Sequence, residues 1–242
     1  MVEDYLVKAV AADGMLRIHG AVTTSVCNEA QRRHGTWPVA SAALGRLLTG
    51  TLMMGAMMLK DDQKVMVQIK GDGPLQELVA VADAAGHVKG YVAEPRVDFP
   101  LNQYGKLDVS RGVGAGQLFV TRHTGLKEPY RGAVPLLSGE IGDDIAYYFA
   151  KSEQIPSVVS LGVLVETDNS VRAAGGLMVQ VMPDADEHLI EQVEERADRF
   201  SNISRKIDAG QLPEEILKDV FHDLGIEILD RMSVEIRCEC SK

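Results

Sequence analysis

The residues best suited to chemistry are Cys238 and Cys240, which stand one residue apart near the end of the sequence. In an extended backbone this C-x-C places both sulfurs on the same side, where two thiolates can hold one soft metal ion. A structural zinc site needs four ligands, and only two residues follow Cys240 in this sequence. The spacing alone therefore predicts half of a zinc site.

The third cysteine, Cys27, lies near His34 in the sequence, and the pair suggests an enzyme as an alternative. No acid or base has the spacing of a catalytic signature, and the sequence shows no triad, phosphate loop or carboxylate pair. We therefore interpret Cys27 as a buried or incidental thiol. The six histidines show no ligand spacing either: His19, His34, His87, His123, His188 and His222.

The glycine-rich stretch RGVGAGQ, at residues 111–117, invites comparison with a phosphate-binding loop. Such a loop has the pattern G-x-G-x-x-G between a strand and a helix. Here the last glycine is followed by Gln117 and a predicted strand. The pattern therefore predicts a bulge or a turn.

The candidate residues must be positioned by a scaffold, and residues 39–59 are its predicted centre. They contain a single charge, Arg46, and apolar residues occupy several helical faces. This predicts a central core helix, with Thr36 as its N-cap and Trp37 and Pro38 in its first turn. A membrane-spanning helix is the alternative, but Arg46 near mid-bilayer and the many small residues disfavour it.

The other elements predicted before residue 183 are mostly short strands and hairpins. Residues 5–11 and 16–22 are two β-like runs joined through Asp13-Gly14, a dipeptide that favours tight hairpin turns. Ser138 is the predicted N-cap of a helix that ends by Pro156. The remaining predicted strands are residues 64–70, 78–83, 88–93, 107–110, 118–121, 158–165 and 171–182.

Most of the formal charge of −10 lies in one late segment. Residues 183–235 carry fifteen acidic side chains against six basic ones, and their hydrophobic period changes to that of helices. The segment is predicted to contain a helix capped by Asp184, a short turn at residues 203–207 and a helix from Pro213 to Gly225. A strand at residues 232–237 is predicted to follow. The thin apolar faces and like charges of these helices predict a separate unit that is held weakly. Its acidic excess argues against nucleic-acid binding.

Targeting signals and cysteine usage predict a cytoplasmic protein. The N-terminus, MVEDYLVKAVAADG, has neither the basic start nor the apolar run of a signal peptide. Three cysteines in 242 residues argue against a disulfide scaffold.

Several ordered stretches resemble the redox-regulated heat-shock chaperones, the 33 kDa chaperonin family. Together they cover essentially the whole chain. They are DYLVKA (4–9), EAQRRHGTWPVASAALGR (29–46), SGEIGDDIAYY (138–148), SEQIPS (152–157), AAGGLMVQVMP (173–183) and the terminal C-x-C.

The resemblance implies an α+β fold in three parts. Residues 1–182 would form an N-terminal domain of β-hairpins and sheets around the central helix. Residues 183–230 would form an acidic, all-helical linker. Residues 231–242 would be the start of a zinc-binding C-terminal domain. In this family a C-x-C and a later C-x-x-C bind one zinc, which implies that Cys238 and Cys240 are two zinc ligands and a redox disulfide pair. The C-x-x-C is absent here. The chain is therefore expected to be truncated, with weak or no stoichiometric zinc and a freer linker.

The resemblance also implies a chaperone that holds unfolding proteins without ATP and is not an enzyme. Oxidation of the cysteines releases zinc, the linker loosens, and apolar surface of the first domain is uncovered. The implied partners are unfolding client proteins, a second copy of the chain in an active homodimer that exchanges linkers, and ATP-driven foldases as acceptors. No nucleic acid or membrane partner is expected.

Two other functions stay open at the sequence level. One is a constitutive binding or scaffold protein in which the C-x-C is merely structural. The other, less favoured, is the enzyme that would use Cys27 or His34.

Overall fold

The structure, a computed structural model of the chain, describes residues 3–125 and 128–237. It confirms the predicted α+β class. The strands are β1 (Tyr5–Ala11), β2 (Leu16–Val22), β3 (Lys64–Gly71), β4 (Glu77–Asp83), β5 (His87–Val92), β6 (Gly116–His123), β7 (Tyr130–Pro135), β8 (Ser157–Val165), β9 (Val171–Val181), β10 (Glu227–Ser233) and β11 (Glu235–Ile236). The helices are α1 (Thr24–His34), α2 (Pro38–Met58), α3 (Val109–Val113), α4 (Gly142–Tyr148), α5 (Glu187–Glu195), α6 (Ile203–Asp208) and α7 (Pro213–Phe221).

Helix α2 is the centre of the fold, as predicted, and packs against strands of two different sheets. It is long and apolar enough to span a membrane, but 89% of its most apolar window is buried inside the protein. The predicted N-cap was wrong by one residue. Trp37 is the N-cap, in an extended conformation, and the Thr36 hydroxyl instead lies 2.6 Å from that of Ser41.

The first sheet has five antiparallel strands in the order β10-β1-β2-β9-β8. The β1–β2 hairpin and the β8–β9 hairpin are confirmed, and Gly14 in the first turn has φ +87°. Side chains of β1 alternate between the two faces of the sheet. Leu6 joins the core around α2, whereas Val7 and Ala9 join a second core on the opposite face.

The second sheet has six strands in the order β11-β5-β4-β3-β6-β7. The alternation predicted for β3 is confirmed, because Val65, Val67 and Ile69 are fully buried beneath α2. The β4–β5 hairpin is also confirmed. The short strand β11 lies parallel to β5 and ties residues 235–236 to the edge of this sheet.

Two local predictions around the glycine-rich stretch had different outcomes. Residues 107–110 do not form a strand, since Asp108 caps the short helix α3 by accepting from the N–H of Arg111 at 3.2 Å. The glycine-rich stretch forms a turn at Gly114, where φ is +72°. The position of Gly116 requires glycine, because a Cβ there would lie 1.9 Å from the carbonyl oxygen of Lys70.

Helix α4 begins later than predicted. Its N-cap is Ile141, with φ +70°, and not Ser138. The buried carboxylate of Asp144 accepts backbone N–H groups from Leu137 at 2.7 Å, Ser138 at 3.1 Å, Gly139 at 3.3 Å and Ile141 at 2.8 Å. A π-helical turn over Phe149–Glu153 then ends the helical stretch before Pro156, as predicted.

Candidate functional site

The predicted zinc and redox residues Cys238 and Cys240 lie outside the described residues. The segment just before them is described and is attached to the second sheet. Its Glu235 N–H donates to the Gly86 oxygen at 3.1 Å, and its Arg237 N–H donates to the Val88 oxygen at 3.0 Å. Among residues 3–125 and 128–237, no three His, Cys, Asp or Glu side chains come together as metal ligands.

A histidine strengthens this attachment. His87 places Nδ1 2.8 Å from a carboxylate oxygen of Asp83 and Nε2 3.4 Å from a carboxylate oxygen of Glu235. The imidazole thus bridges the β4–β5 turn to β11. The approach to the C-x-C therefore starts from a fixed position at the sheet edge.

The alternative enzyme site is not assembled by the fold. Cys27 is 3% exposed, and burial raises the pKa of its thiol to about 12. The thiol donates a long hydrogen bond to the Thr23 hydroxyl, at 3.9 Å. His34 lies on the surface in the last turn of α1, two helical turns or about 10 Å along the axis from Cys27. The two residues cannot act as a nucleophile and its base.

Cys27 is therefore expected to resist alkylation in the folded chain. At pH 8 a thiol with so high a pKa has almost no reactive thiolate, and its side chain is out of reach of solvent. Iodoacetamide labelling followed by peptide mass spectrometry should show Cys27 unmodified after an hour, and fully modified once urea has unfolded the chain. Rapid labelling of Cys27 in the folded protein would contradict this assignment.

The strongest candidate for a functional surface is the second core, between the first sheet and the acidic helical segment 187–224. Strands β1, β2 and β9 contribute the sheet side of this core, and α5, α6, α7 and the turn at Ala197–Phe200 contribute the other side. The largest buried side chains from the segment are Phe200 and Phe221, whose ring centroids are 5.5 Å apart. The apolar faces of the segment are thus wider than the sequence predicted.

Three strand glycines let the segment approach the sheet closely. A Cβ on Gly20 would lie 2.9 Å from Cβ of Pro213, and one on Gly175 would lie 2.4 Å from Cδ1 of Ile207. A Cβ on Gly162 would lie 2.7 Å from the backbone nitrogen of Ser204. The sequence did not reveal this role, because a glycine within a strand does not indicate which partner approaches it.

Polar contacts at the rim hold the segment in register. The Ser160 hydroxyl donates to the Phe200 oxygen at 2.7 Å, and Arg172 makes two 2.7 Å hydrogen bonds to the Asp208 carboxylate. Most of these charges are solvent-exposed, and exposed pairs contribute about 0–1 kcal/mol each. The apolar core therefore supplies most of the attachment.

The segment is followed by a strand of the first sheet. Strand β10 begins at Glu227, inside the stretch 183–230 that was predicted to be all helical, and pairs with β1 from Tyr5↔Ser233 to Val10↔Glu227. The predicted strand at 232–237 was therefore placed too late. Likewise, the N-cap of α5 is Asp186 and not Asp184, since the Asp186 carboxylate accepts the Leu189 N–H at 2.9 Å. The short turn predicted at residues 203–207 is the short helix α6. The helix predicted from Pro213 to Gly225 is confirmed as α7, followed by a 3-10 turn at His222–Leu224 with Gly225 as its C-cap.

Adding one methyl group at Gly162 is expected to displace α6. In Gly162→Ala the new carbon meets backbone and side-chain atoms of Ile203 and Ser204, so the segment must move, at a cost of about 1–3 kcal/mol. Amide exchange should therefore quicken in residues 203–208, with the amides of β3 and β6 as the internal reference. Equal exchange in the variant and the parent chain would show that α6 does not rest on β8 in solution.

Comparison with known proteins gives a consistent result. The Hsp33 protein family matches residues 4–242. The 33 kDa chaperonin of Staphylococcus carnosus is 51% identical over 242 residues, which is 100% of this chain and 82% of that protein. The 33 kDa chaperonin of Bacillus subtilis is 52% identical over 240 residues, covering 99% of this chain and 82% of that protein.

A solved structure shares the fold. The crystal structure of the 33 kDa chaperonin, or heat shock protein 33 homolog, from Thermotoga maritima superposes with a TM-score of 0.91 at 34% sequence identity. The match covers 99% of this chain and 82% of that one.

Proposed function

Because this chain belongs to the Hsp33 family, whose relatives described above are chaperonins, we propose that it is an ATP-independent chaperone that holds unfolding proteins under oxidative and heat stress. It acts in the cytoplasm, binds clients through apolar surface, and is switched by oxidation of Cys238 and Cys240. It is a binding protein and not an enzyme.

The observation that supports the proposal is the second core. One face of the first sheet is apolar along β1, β2 and β9, and it is covered by a segment whose outer side is acidic. Moving the segment away would uncover side chains such as Val7, Ile18 and Val179 without disturbing the core around α2. A large exposed apolar patch is a surface for binding unfolded chains.

The switch is a reaction of thiols. Peroxide takes two electrons and two protons from Cys238 and Cys240, forms one disulfide and is reduced to water. The cysteine pair follows β11 and Arg237, which are tied to the edge of the second sheet. The Glu235 N–H donates to the Gly86 oxygen at 3.1 Å, the Arg237 N–H donates to the Val88 oxygen at 3.0 Å, and the Glu235 carboxylate lies 3.4 Å from His87 Nε2. Strain or loss of order after Arg237 would pull at β11 and β10 and loosen the helical segment between β9 and β10.

Zinc has a limited place in this proposal. A thiolate-bound zinc adds its binding free energy to the folded state when it is present. Cys238 and Cys240 provide two of the four ligands, and this sequence contains no C-x-x-C to complete the site. The donors of this chain alone do not fit a closed zinc site, so every step above uses the thiols.

The active form is proposed to be a homodimer that exchanges the helical segment between copies. The segment packs on the sheet through a core that is separate from the core around α2, so a segment that lifts off its own sheet could cover the same face of a second copy. ATP-driven foldases are the proposed acceptors of held clients.

A light-scattering assay with a thermally unfolding client tests the function. The chain without ATP is expected to suppress client aggregation, and more strongly after peroxide treatment than after reduction. In the double variant Cys238→Ser/Cys240→Ser the difference between the two treatments should vanish. No suppression under either condition would overturn the holding function.

The same assay separates the alternative of a constitutive binding protein. Equal suppression by the reduced and the oxidised chain would leave the holding function standing and remove the redox switch.

A further inference from the structure

Strand β8 is an edge strand of the first sheet. The Val181 N–H donates to the Pro156 oxygen at 2.9 Å, so Pro156 directs its backbone groups towards β9. In an antiparallel ladder, residues that bond to the neighbouring strand alternate with residues that do not. Leu161 and Val163 lie an odd number of residues after Pro156 and therefore direct their N–H and C=O groups away from β9. Within residues 3–125 and 128–237, no backbone or side-chain group pairs with them.

These unpaired groups face a groove. A cavity of about 280 Å³ runs along the second half of β8, and a larger one of about 710 Å³ continues it past Leu161 and Arg46. One wall is the loop at 101–108 and the other is formed by residues 201–205 of the helical segment. The loop wall presents exposed apolar side chains, with Leu101 60% exposed and Tyr104 74% exposed.

The groove lining carries equal numbers of opposite charges: three basic side chains (Arg46, Lys106, Arg205) and three acidic ones (Asp108, Glu140, Asp143). The buried guanidinium of Arg46 bonds to the Glu140 carboxylate at 2.5 Å. Asp108 is used by the cap of α3, and Asp143 accepts the Ser138 hydroxyl at 2.9 Å. A ligand that is strongly charged would meet no excess of opposite charge here, whereas an uncharged backbone with apolar side chains would meet both donors and apolar walls.

We propose that this groove binds an extended segment of an unfolded client as an additional strand on β8. Main-chain hydrogen bonds to Leu161 and Val163 hold any sequence, and the apolar wall at Leu101, Tyr104 and Leu107 favours apolar side chains.

The inference rests on the proposed holding function and names where a client makes its first ordered contact. Ser160 and Gly162, on the same strand, touch the helical segment at Phe200 and Ser204. A strand added to β8 therefore lies beside the segment whose movement the switch requires. Clients with exposed extended stretches bind here, while collapsed apolar clients use the sheet face.

Amide exchange measured by NMR tests this directly. The probe is a blocked octapeptide of alternating leucine and threonine. The control is the same peptide with every backbone nitrogen methylated, which can donate no main-chain hydrogen bond from either edge and carries bulky methyl groups along both. On binding, the amides of Leu161 and Val163 are expected to slow by about tenfold or more. The Ala133 amide, on the open edge of β7, is expected to stay unchanged.

A pair of surface variants supplies the second measurement. Leu101→Asp places a charge on the groove wall and is expected to weaken binding of the octapeptide by about tenfold. Leu229→Asp, a leucine of similar exposure (57%) on β10, should bind as the parent chain does. Both sites are on the surface, so both variants should fold.

The outcomes separate this inference from the function. If the chain suppresses client aggregation but the octapeptide leaves the Leu161 and Val163 amides unprotected, the groove is not the site and the holding function stands. If protection is the same with the methylated peptide, strand pairing is wrong. If the chain suppresses no aggregation at all, the proposed function itself fails.

Discussion

Replacing Phe221 with alanine is expected to release the helical segment without unfolding the rest of the protein. Phe221 is fully buried in the second core, and truncation of a buried phenylalanine costs about 3–5 kcal/mol. That cost falls on the contact between the segment and the sheet, so residues 187–224 should open about a hundredfold to a few thousandfold more often. The variant should suppress client aggregation even in the reduced state, in which the parent chain is proposed to hold clients more weakly.

A matched substitution in the other core gives the control. Phe149 is equally buried but belongs to the core around α2. Phe149→Ala should lower the stability of the whole chain and leave the segment no freer relative to the body. Amide exchange mapped over both variants distinguishes the two patterns. If Phe221→Ala raised exchange in β3 and β6 as much as in α5 to α7, the segment would not open by itself.

Acid is expected to destabilise the fold through His19. This residue of β2 is 3% exposed, and neither ring nitrogen has a hydrogen-bond partner within the described residues. Burial lowers the pKa of His19 to about 3, and the positive charges of Lys8 and Arg17 add to the effect. Between pH 6.5 and 3 the unfolded chain binds a proton that the folded chain refuses.

The sign of the effect follows from that difference. The folded-state pKa is depressed, so the contribution of His19 to stability is complete above pH 6.5 and is lost as the pH falls towards 3. The loss is roughly 2–3 kcal/mol by pH 4.5. In His19→Leu this part of the pH dependence should disappear from urea unfolding curves, whereas His188→Gln, at an exposed position of α5, should keep it. The same acid sensitivity in His19→Leu and the parent chain would assign it to other groups.

The parts of the fold that follow from local periodicity were predicted well. The hairpins β1–β2, β4–β5 and β8–β9 consist of apolar, β-forming runs separated by turn residues, and α2 shows apolar residues on several faces. In each case the residues close by in the sequence determine the type of element. Helix starts were predicted less well. Ser138 is a common capping residue, but Asp144 binds the free backbone N–H groups ahead of α4 and moves the start to Gly142.

Long-range pairing explains what the sequence could not predict. The sequence of strand β10 resembles that of the acidic helical segment before it, because it carries charged residues such as Asp230 and Arg231. Its pairing with β1 is what makes it a strand. The second core was missed for the same reason. The faces of α5 and α7 look thin alone, and Phe200 completes the core from a short turn that has no periodicity of its own.

The position of β10 has a consequence for how the switch resets. Because β9 and β10 both stay in the sheet, residues 182–226 are a loop fixed at its two ends, and its release resembles a flap opening more than a tail drifting away. A tethered segment faces its docking surface at an effective concentration on the order of millimolar. Closure would then be quick and independent of protein concentration, so a bound client must compete with the chain's own helices at every moment.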